Sequence, residues 1–192
     1  QKGDFWDQKE AQKIFDKVKD LPAKVASIKT TEEIVLPPVP FDLTSLQMEA
    51  WRCFRSSPKM TQQIAQDLYT KALISYPRTS SQKLPATLNY KKILQSISKQ
   101  VIYKPLVNKI LVLPKIKPRE GAKSDPAHPS IYPTGEAPKA LDDGQRSIYD
   151  LIVRRFLAVF AEPAAKEVTK VVFEVENEKF NYTGNRIAVE GW

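Results

Sequence analysis

The sequence predicts an α+β chain in which a mainly helical domain is inserted into a β domain. Apolar residues recur at helical spacing through the middle of the chain, whereas strand-like alternation occurs before residue 40 and after residue 166. Pro37, Pro38 and Pro40 mark a junction, because clustered prolines continue neither a helix nor a central strand. We therefore predict three segments: residues 1–43 with a helix and the first part of the β domain, residues 44–165 as the helical domain, and residues 166–192 as returning strands.

The first segment contains one predicted helix and one predicted strand. Residues 8–21 carry apolar side chains three and four positions apart, and Asp7 precedes them as a helix cap. Residues 23–36 alternate in part between apolar and polar side chains, which predicts a strand. This strand has to pair with strands from the other end of the chain.

Two helices joined by a short turn open the second segment. We predict one over residues 44–54, capped by Thr44, and one over residues 60–72, separated by the breaker Ser56-Ser57-Pro58. Such a pair is typical of the helix-turn-helix core of a winged-helix-like (CAP-like) domain, although adjacent helices are common. The apolar faces predicted for these helices comprise Leu46, Ala50, Cys53, Phe54, Ile64, Ala65, Leu68 and Tyr69.

The remainder of the second segment is two predicted helices around a long irregular stretch. The helices cover residues 89–100 and 144–160, the latter capped by Asp142 or Asp143. Residues 101–138 are rich in proline, lysine and glycine and predict no regular structure. A loop of that length inside a compact domain is either functional or disordered.

The third segment predicts strands joined by tight turns. Residues 167–175 and 178–183 have strand character around a turn at Asn177. Residues 183–186 predict a second turn, followed by a short strand over residues 187–189. These strands complete the predicted β domain.

Charge favours a polyanionic partner. The chain has 30 Lys and Arg against 22 Asp and Glu, a net charge of +8, and binding to nucleic acid would release counterions from each neutralised phosphate. A basic surface kept for solubility is the alternative.

The single cysteine, Cys53, excludes an internal disulfide and a cysteine-rich zinc site. No apolar run is long enough to span a bilayer, so we expect a cytoplasmic protein.

The stretch Leu73–Ser81 (LISYPRTSS) gathers groups suited to phosphate chemistry. Tyr76 precedes Pro77, which biases it towards an extended backbone, and Arg78 follows at once. A phenol is a poor nucleophile at neutral pH unless it is assisted, and a guanidinium grips phosphate oxygens bidentately without losing its charge. The alternative is a tyrosine packed at a strand end beside a solvated arginine.

The same nine residues resemble the active-site signature of type IA DNA topoisomerases, in which a tyrosine is followed two places on by arginine and threonine. Upstream, PFDLTSLQMEA and PKMTQQIAQDLYTKALISYPRT are similar to the approach to that tyrosine in archaeal topoisomerases I or III. Downstream, DPAHPSIYPTGEAP resembles a second signature, a histidine shortly before a Pro-Thr pair, here His128, Pro133 and Thr134. The sequence differs from the bacterial form of that signature at Pro129 and Tyr132.

The resemblance implies a role for each residue of the two signatures. Tyr76 would join covalently to a 5′ phosphate of one cut DNA strand, and Arg78 would hold the scissile phosphate. His128 would lie near the DNA or the tyrosine and tune protonation there, or would serve only to help fold its loop. Thr79 and Ser80 would donate to phosphate, or would serve as turn hydroxyls that bond their own backbone.

The resemblance also implies what this chain lacks. Family members carry an acidic metal site on a separate N-terminal domain, and nothing in this sequence matches it. We therefore expect no metal or other cofactor in this chain, and Mg2+ in a full-length parent protein. The expected partners are that domain and single-stranded or locally unwound duplex DNA, in a nucleoid-associated enzyme. Without the missing domain, we expect this polypeptide not to relax supercoiled DNA.

Two hypotheses of different classes follow. In the first, the chain belongs to an enzyme that cuts and rejoins one DNA strand to relax supercoils or decatenate, with its β portion forming part of an arch. In the second, it is a non-catalytic winged-helix DNA-binding module with a structural Tyr76. The long stretch at residues 101–138 and the flanking strands fit the second hypothesis poorly.

Overall fold

The computed structural model describes residues 5–192, which divide into two compact units. The first unit runs to Val35 and resumes over Ala164–Glu190, and the second comprises Leu36–Pro163 with Gly191–Trp192. Residues 1–4, at the start of the predicted segment 1–43, lie outside the described part of the chain. Within residues 5–192, every helix is too short or too polar to traverse a bilayer.

The first unit combines one helix with a small antiparallel sheet, so the predicted mixture of helix and sheet is confirmed. The elements of this unit are α1 (Gln8–Val18), β1 (Lys24–Val35), β2 (Ala164–Val175) and β3 (Glu178–Val189). Helix α1 begins after Asp7, whose side chain accepts a hydrogen bond from the Lys9 amide. The three-stranded sheet has the order β1-β2-β3, with both pairs antiparallel. The central strand β2 therefore pairs with strands from both ends of the chain.

Two details of this unit differ from the prediction. Helix α1 ends at Val18 rather than at Leu21. The turn predicted at residues 183–186 is wrong, because β3 continues through it with Gly184 opposite Thr169. Arg186 also holds the Glu167 carboxylate from the neighbouring strand at 2.9 Å. Pairing along the whole of β2 outweighs the local turn preference of the Gly-Asn pair.

The second unit is a helical assembly around a shared apolar core. The helices are α2 (Leu43–Phe54), α3 (Pro58–Thr70), α4 (Tyr90–Ile97), α5 (Lys104–Leu111) and α6 (Asp143–Ala158). Helix α6 packs against α2, α3 and α5. Of the two residues predicted to cap α6, Asp142 is the cap, since its carboxylate accepts from the Gln145 amide at 2.8 Å. The core includes Leu46, Leu68, Ile74, Leu94, Ile148 and Ile152.

The expectation that residues 101–138 hold no regular structure is wrong. Residues Lys104–Leu111 form α5, in which Val107 and Ile110 are buried at helical spacing. Pro105 lies in the first turn, where its missing N–H costs nothing. The prolines and lysines that flank this short helix obscured its apolar periodicity.

The predicted faces of α2 and α3 are confirmed only in part. Leu46, Ala50, Ala65 and Leu68 are buried, but Phe54 and Tyr69 remain 44% and 42% exposed. Cys53 is exposed as well. Each of these three residues lies near the C-terminal end of its helix, where the core no longer covers the predicted face.

Asp42, and not Thr44, caps helix α2. Asp42 accepts from the Ser45 amide at 2.7 Å, and the Ser45 hydroxyl accepts in turn from the Asp42 amide, which makes a reciprocal capping box. The other carboxylate oxygen accepts from Gln82 and from the Lys123 ammonium. Burial acts to raise the pKa of Asp42, but the hydrogen bonds from Ser45 and Lys123 outweigh it and hold the pKa below its usual value.

We expect Asp42→Ala to destabilise the protein by about 2–4 kcal/mol, because it removes a cap and leaves Lys123 and Gln82 without their acceptor. A fall in the midpoint of urea-induced unfolding measures this loss. Asp142→Ala is the matched control, since exposed Asp142 caps α6 through a single amide and should cost about 1 kcal/mol. Equal losses in the two variants would show that Asp42 acts as a cap and nothing more.

Candidate active site

Tyr76 lies between two other aromatic rings. Its ring centroid is 4.5 Å from that of His128 and 5.4 Å from that of Tyr69, the latter in an edge-to-face arrangement. The side chain is only partly buried, and within residues 5–192 its hydroxyl makes no hydrogen bond. The phenol is therefore oriented by ring contacts, while its oxygen is not committed to another group of the described chain.

The backbone before Tyr76 is held by the second signature. Ile74 forms an antiparallel bridge with Pro133, and the Ser75 amide donates to the Tyr132 carbonyl at 2.9 Å. The Ser75 hydroxyl accepts from the Tyr132 amide and donates to the Ser130 carbonyl. Two segments more than 50 residues apart are thus joined like neighbouring strands immediately beside the phenol.

The exit from helix α3 also depends on the second signature. Ala72 has φ +58°, a left-handed conformation that Gly usually takes at the end of a helix. The Thr134 hydroxyl donates to the Ala72 carbonyl at 2.7 Å, and the Thr134 amide donates to the Leu73 carbonyl. Thr134, of the Pro-Thr pair in the second signature, therefore fixes the turn that leads the chain into Leu73–Ser81.

Arg78 is exposed, two residues beyond the phenol. Among the ion pairs formed by residues 5–192, none uses its guanidinium. Its neighbours on either side are fixed, since Pro77 is buried and the Thr79 carbonyl accepts from the Leu43 amide at 3.0 Å. The arrangement presents a free guanidinium from an anchored backbone.

The hydroxyls of Thr79 and Ser80 bond within the protein. Thr79 is buried; its hydroxyl donates to the His128 carbonyl at 3.3 Å and accepts from the Ser81 amide. Ser80 is exposed and donates to the Asp125 carboxylate at 3.3 Å. The Thr79 bond to the Ser81 amide is that of a turn hydroxyl. The bonds to His128 and Asp125 join the tyrosine loop (residues 73–81) to the histidine loop (residues 125–138).

Asp125 is a residue of this site that the sequence did not single out. Its carboxylate accepts from the Ala127 and His128 amides at 2.9 and 3.1 Å, which fixes the turn that carries the histidine. The Asp-Pro pair at the start of DPAHP was the available signal, because Asp commonly bonds the backbone two residues on. Hydrogen bonds from Ala127 first, and then from His128 and Ser80, lower the pKa of Asp125.

A prediction about acid follows from the lowered pKa of Asp125. The carboxylate stabilises its turn fully above the ordinary aspartate pKa of about 4, and this contribution is lost as the pH falls through the lower folded-state value. We expect the amide NMR signals of Ala127 and His128 to shift together below about pH 4. Asp125→Asn should abolish that titration. A common midpoint at or above the ordinary value would contradict the expectation.

Within residues 5–192, no group of three or more His, Cys, Asp or Glu side chains is arranged to hold a metal ion. The residues around Tyr76 therefore do not form a metal site by themselves. They orient the Tyr76 phenol and carry the Arg78 guanidinium two residues further on, on a backbone that hydrogen bonds between residues 73–81 and 125–134 hold in place. A phenol and a guanidinium are groups that attack on a phosphodiester can use.

Comparisons with known proteins identify the family of this chain. A family model described as DNA topoisomerase matches residues 1–192. DNA topoisomerase 1 of Pyrococcus horikoshii is 45% identical over 194 aligned positions, which include 100% of this chain and 28% of the relative. DNA topoisomerase 1 of Methanocaldococcus jannaschii is 46% identical, again over 100% of this chain and over 25% of the relative.

A solved structure shares the fold as well. Full-length topoisomerase I from Thermotoga maritima superposes with a TM-score of 0.64 at 26% identity, over 99% of this chain and 31% of that chain. This chain thus spans between a quarter and a third of the length of these three relatives. On the full-length family match and the archaeal relatives together, the chain belongs to the type IA DNA topoisomerase family.

Proposed function

We propose that this chain supplies the nucleophile of an enzyme that cuts and rejoins one DNA strand. The observation that carries the proposal is the partly exposed Tyr76 phenol, whose ring contacts His128 while its hydroxyl stays uncommitted, two residues from the free guanidinium of Arg78. Family membership supports DNA as the substrate. It does not favour the alternative of a non-catalytic winged-helix module.

The proposed reaction is a transesterification. The Tyr76 oxygen attacks phosphorus, the bond from phosphorus to the 3′ oxygen of the preceding nucleotide breaks, and that oxygen leaves as a 3′ hydroxyl after gaining a proton. The phenolic proton goes to solvent or to a base. The energy of the phosphodiester is kept in the tyrosyl ester, so the 3′ hydroxyl can reverse the step without ATP. Repeated cycles would relax supercoils or decatenate DNA.

Each neighbour of Tyr76 has a distinct proposed part. Arg78 binds the non-bridging oxygens of the scissile phosphate and offsets the charge that gathers there. His128 packs on the phenol ring and limits its orientations. Thr79 holds the two loops together, and in this proposal the exposed Ser80 contacts a phosphate. The DNA-contacting roles of Thr79 and Ser80 stay predictions.

We further propose that the parent protein completes the site. By the parent protein we mean a longer polypeptide containing this chain and the segments that its relatives carry beyond it, including an N-terminal domain that binds Mg2+. The absence of a metal cluster from residues 5–192 is compatible with a metal held elsewhere. In the same proposal, the helical unit is a winged-helix-like (CAP-like) domain inserted into a β arch. Supporting observations are the α2–α3 pair and a sheet built from both ends of the chain.

The polarity of the covalent bond tests this proposal. The parent protein with Mg2+ is mixed with a single strand labelled at one end, and the reaction is stopped with denaturant. A 3′-end label should remain on the protein, and a 5′-end label should appear on a free shorter strand, because tyrosine keeps the 5′ phosphate. The opposite pattern, or no adduct from a folded parent protein, would refute the proposal. This 192-residue chain alone should leave supercoiled plasmid unrelaxed.

A further inference from the structure

A cavity of about 670 Å³ opens beside the histidine loop, within the second unit. Its walls come from residues 81–86 with Tyr90, from residues 115–120, and from residues 124–129. This volume is in the range of sites that hold a small organic ligand. His128 lines the cavity, and its ring is 4.5 Å from that of Tyr76. His128 is therefore shared between the cavity wall and the ring contact with Tyr76.

The cations of this cavity are free, whereas its anions are engaged. Lys83, Lys115 and Lys117 line it and are exposed, and none takes part in an ion pair formed within residues 5–192. The two carboxylates, of Glu120 and Asp125, accept from backbone amides of the cavity walls. Three available ammonium groups around a concave surface favour an anionic ligand.

The cavity also presents apolar surface between those lysines. Pro85, Ile116 and Pro129 are among its lining residues, together with the Tyr90 ring. A free phosphate would make no use of such a surface. A nucleotide would use both parts, since its base and sugar can lie on the apolar wall while its phosphates reach the lysines. The composition therefore fits a nucleotide better than an inorganic anion.

The walls are held in place by hydrogen bonds between segments. The Lys83 carbonyl accepts from the Ser130 amide at 2.9 Å, and the Gln82 carbonyl accepts from the Gly121 amide at 3.1 Å. The Glu120 carboxylate accepts from the Leu84 amide at 2.9 Å. A concave surface whose shape is fixed in advance loses less conformational freedom when a ligand binds.

We propose that this cavity binds one or two nucleotides of the single-stranded DNA that flanks the scissile phosphate. The location of the DNA in this proposal rests on the proposed function of Tyr76. The lysines would contact the backbone without reading its sequence. The apolar wall would add a contact with the base, so that the strand is held on one side of the phenol before and after cleavage.

Salt dependence of DNA binding tests the proposal. Fluorescence anisotropy would compare a single-stranded oligonucleotide bound to the 192-residue chain and to the triple variant Lys83→Gln, Lys115→Gln, Lys117→Gln. Each phosphate contact contributes about 0.7 to the slope of log affinity against log salt, so the slope should fall by about 2. The matched control replaces Lys99, Lys104 and Lys109, which are exposed and lie outside the cavity lining. This control variant should keep most of the salt dependence that the unsubstituted chain shows.

The outcomes separate this site from the proposed function. Equal slopes in the cavity variant and its control would overturn the cavity site, provided that both variants unfold thermally like the unsubstituted chain. An abasic oligonucleotide of equal length should bind the unsubstituted chain less tightly; equal binding would reduce the site to a phosphate contact and overturn the nucleotide assignment. Binding is measured with Tyr76→Phe, where no cleavage can occur. If the parent protein formed no adduct with DNA, only the proposed function of Tyr76 would be refuted. The salt dependence of DNA binding would still decide whether the cavity binds DNA.

Discussion

Tyr76→Phe in the parent protein is expected to abolish the covalent adduct with DNA, lowering its yield by at least about three orders of magnitude. The variant removes the nucleophilic oxygen and keeps the ring that contacts Tyr69 and His128. Because the hydroxyl has no partner within residues 5–192, its loss should change the free energy of unfolding by less than about 0.5 kcal/mol. Denaturing gel electrophoresis with labelled DNA measures the adduct.

The neighbouring phenol provides a demanding control for that result. Tyr69 is 42% exposed and its ring is 5.4 Å from the ring of Tyr76, so a purely local disturbance of the aromatic cluster should affect both variants alike. Tyr69→Phe should retain the adduct. If the adduct persisted in Tyr76→Phe and vanished in Tyr69→Phe, the nucleophile would have been assigned to the wrong tyrosine.

Arg78→Ala carries the second-largest expected effect, a fall in the rate of cleavage of about 10²–10³. The guanidinium is exposed and free of ion pairs among the described residues, so its removal costs the fold little. Arg78→Lys keeps the charge but loses bidentate geometry, and should recover part of the rate. Single-turnover cleavage of a saturating oligonucleotide separates this effect from weaker binding.

Arg154→Ala is the matched control for Arg78. Arg154 is also exposed, but it pairs with Asp150 on helix α6 and lies outside the tyrosine and histidine loops. We expect its cleavage rate to stay within about twofold of that of the unsubstituted protein. Equal losses in the two alanine variants would mean that overall positive charge, and not a phosphate contact beside Tyr76, sets the rate.

The secondary structure was predictable wherever the local pattern and the tertiary packing agree. Asp142 has both the residue type and the position of a cap, and the structure uses it as one. Thr44 was a plausible cap too, but Asp42 two residues earlier combines Ser45 with the more distant Gln82 and Lys123. Gln82 and Lys123 cannot be predicted as partners from the local sequence, because 40 and 81 positions separate them from Asp42.

The site shows the same division between local and distant information. Tyr76 and Arg78 can be predicted as site residues because they lie within one short motif. The contacts that hold this motif come from distant residues. The Thr134 hydroxyl bonds the Ala72 carbonyl just after α3, and the Asp125 carboxylate bonds Ser80 and the histidine turn. Resemblance alone placed His128 near the tyrosine; the ring contact at 4.5 Å is information from the structure. Local spacing cannot show that two loops pair along their backbones.

Peptide mapping of the adduct determines whether the Tyr76 oxygen forms the bond to DNA. The parent protein is trapped on a single-stranded oligonucleotide, digested with nuclease and protease, and analysed by tandem mass spectrometry. The residual nucleotide mass should lie on Tyr76, in a peptide containing the sequence LISYPR. A nucleotide mass on any other residue would refute the assignment of Tyr76 as the nucleophile.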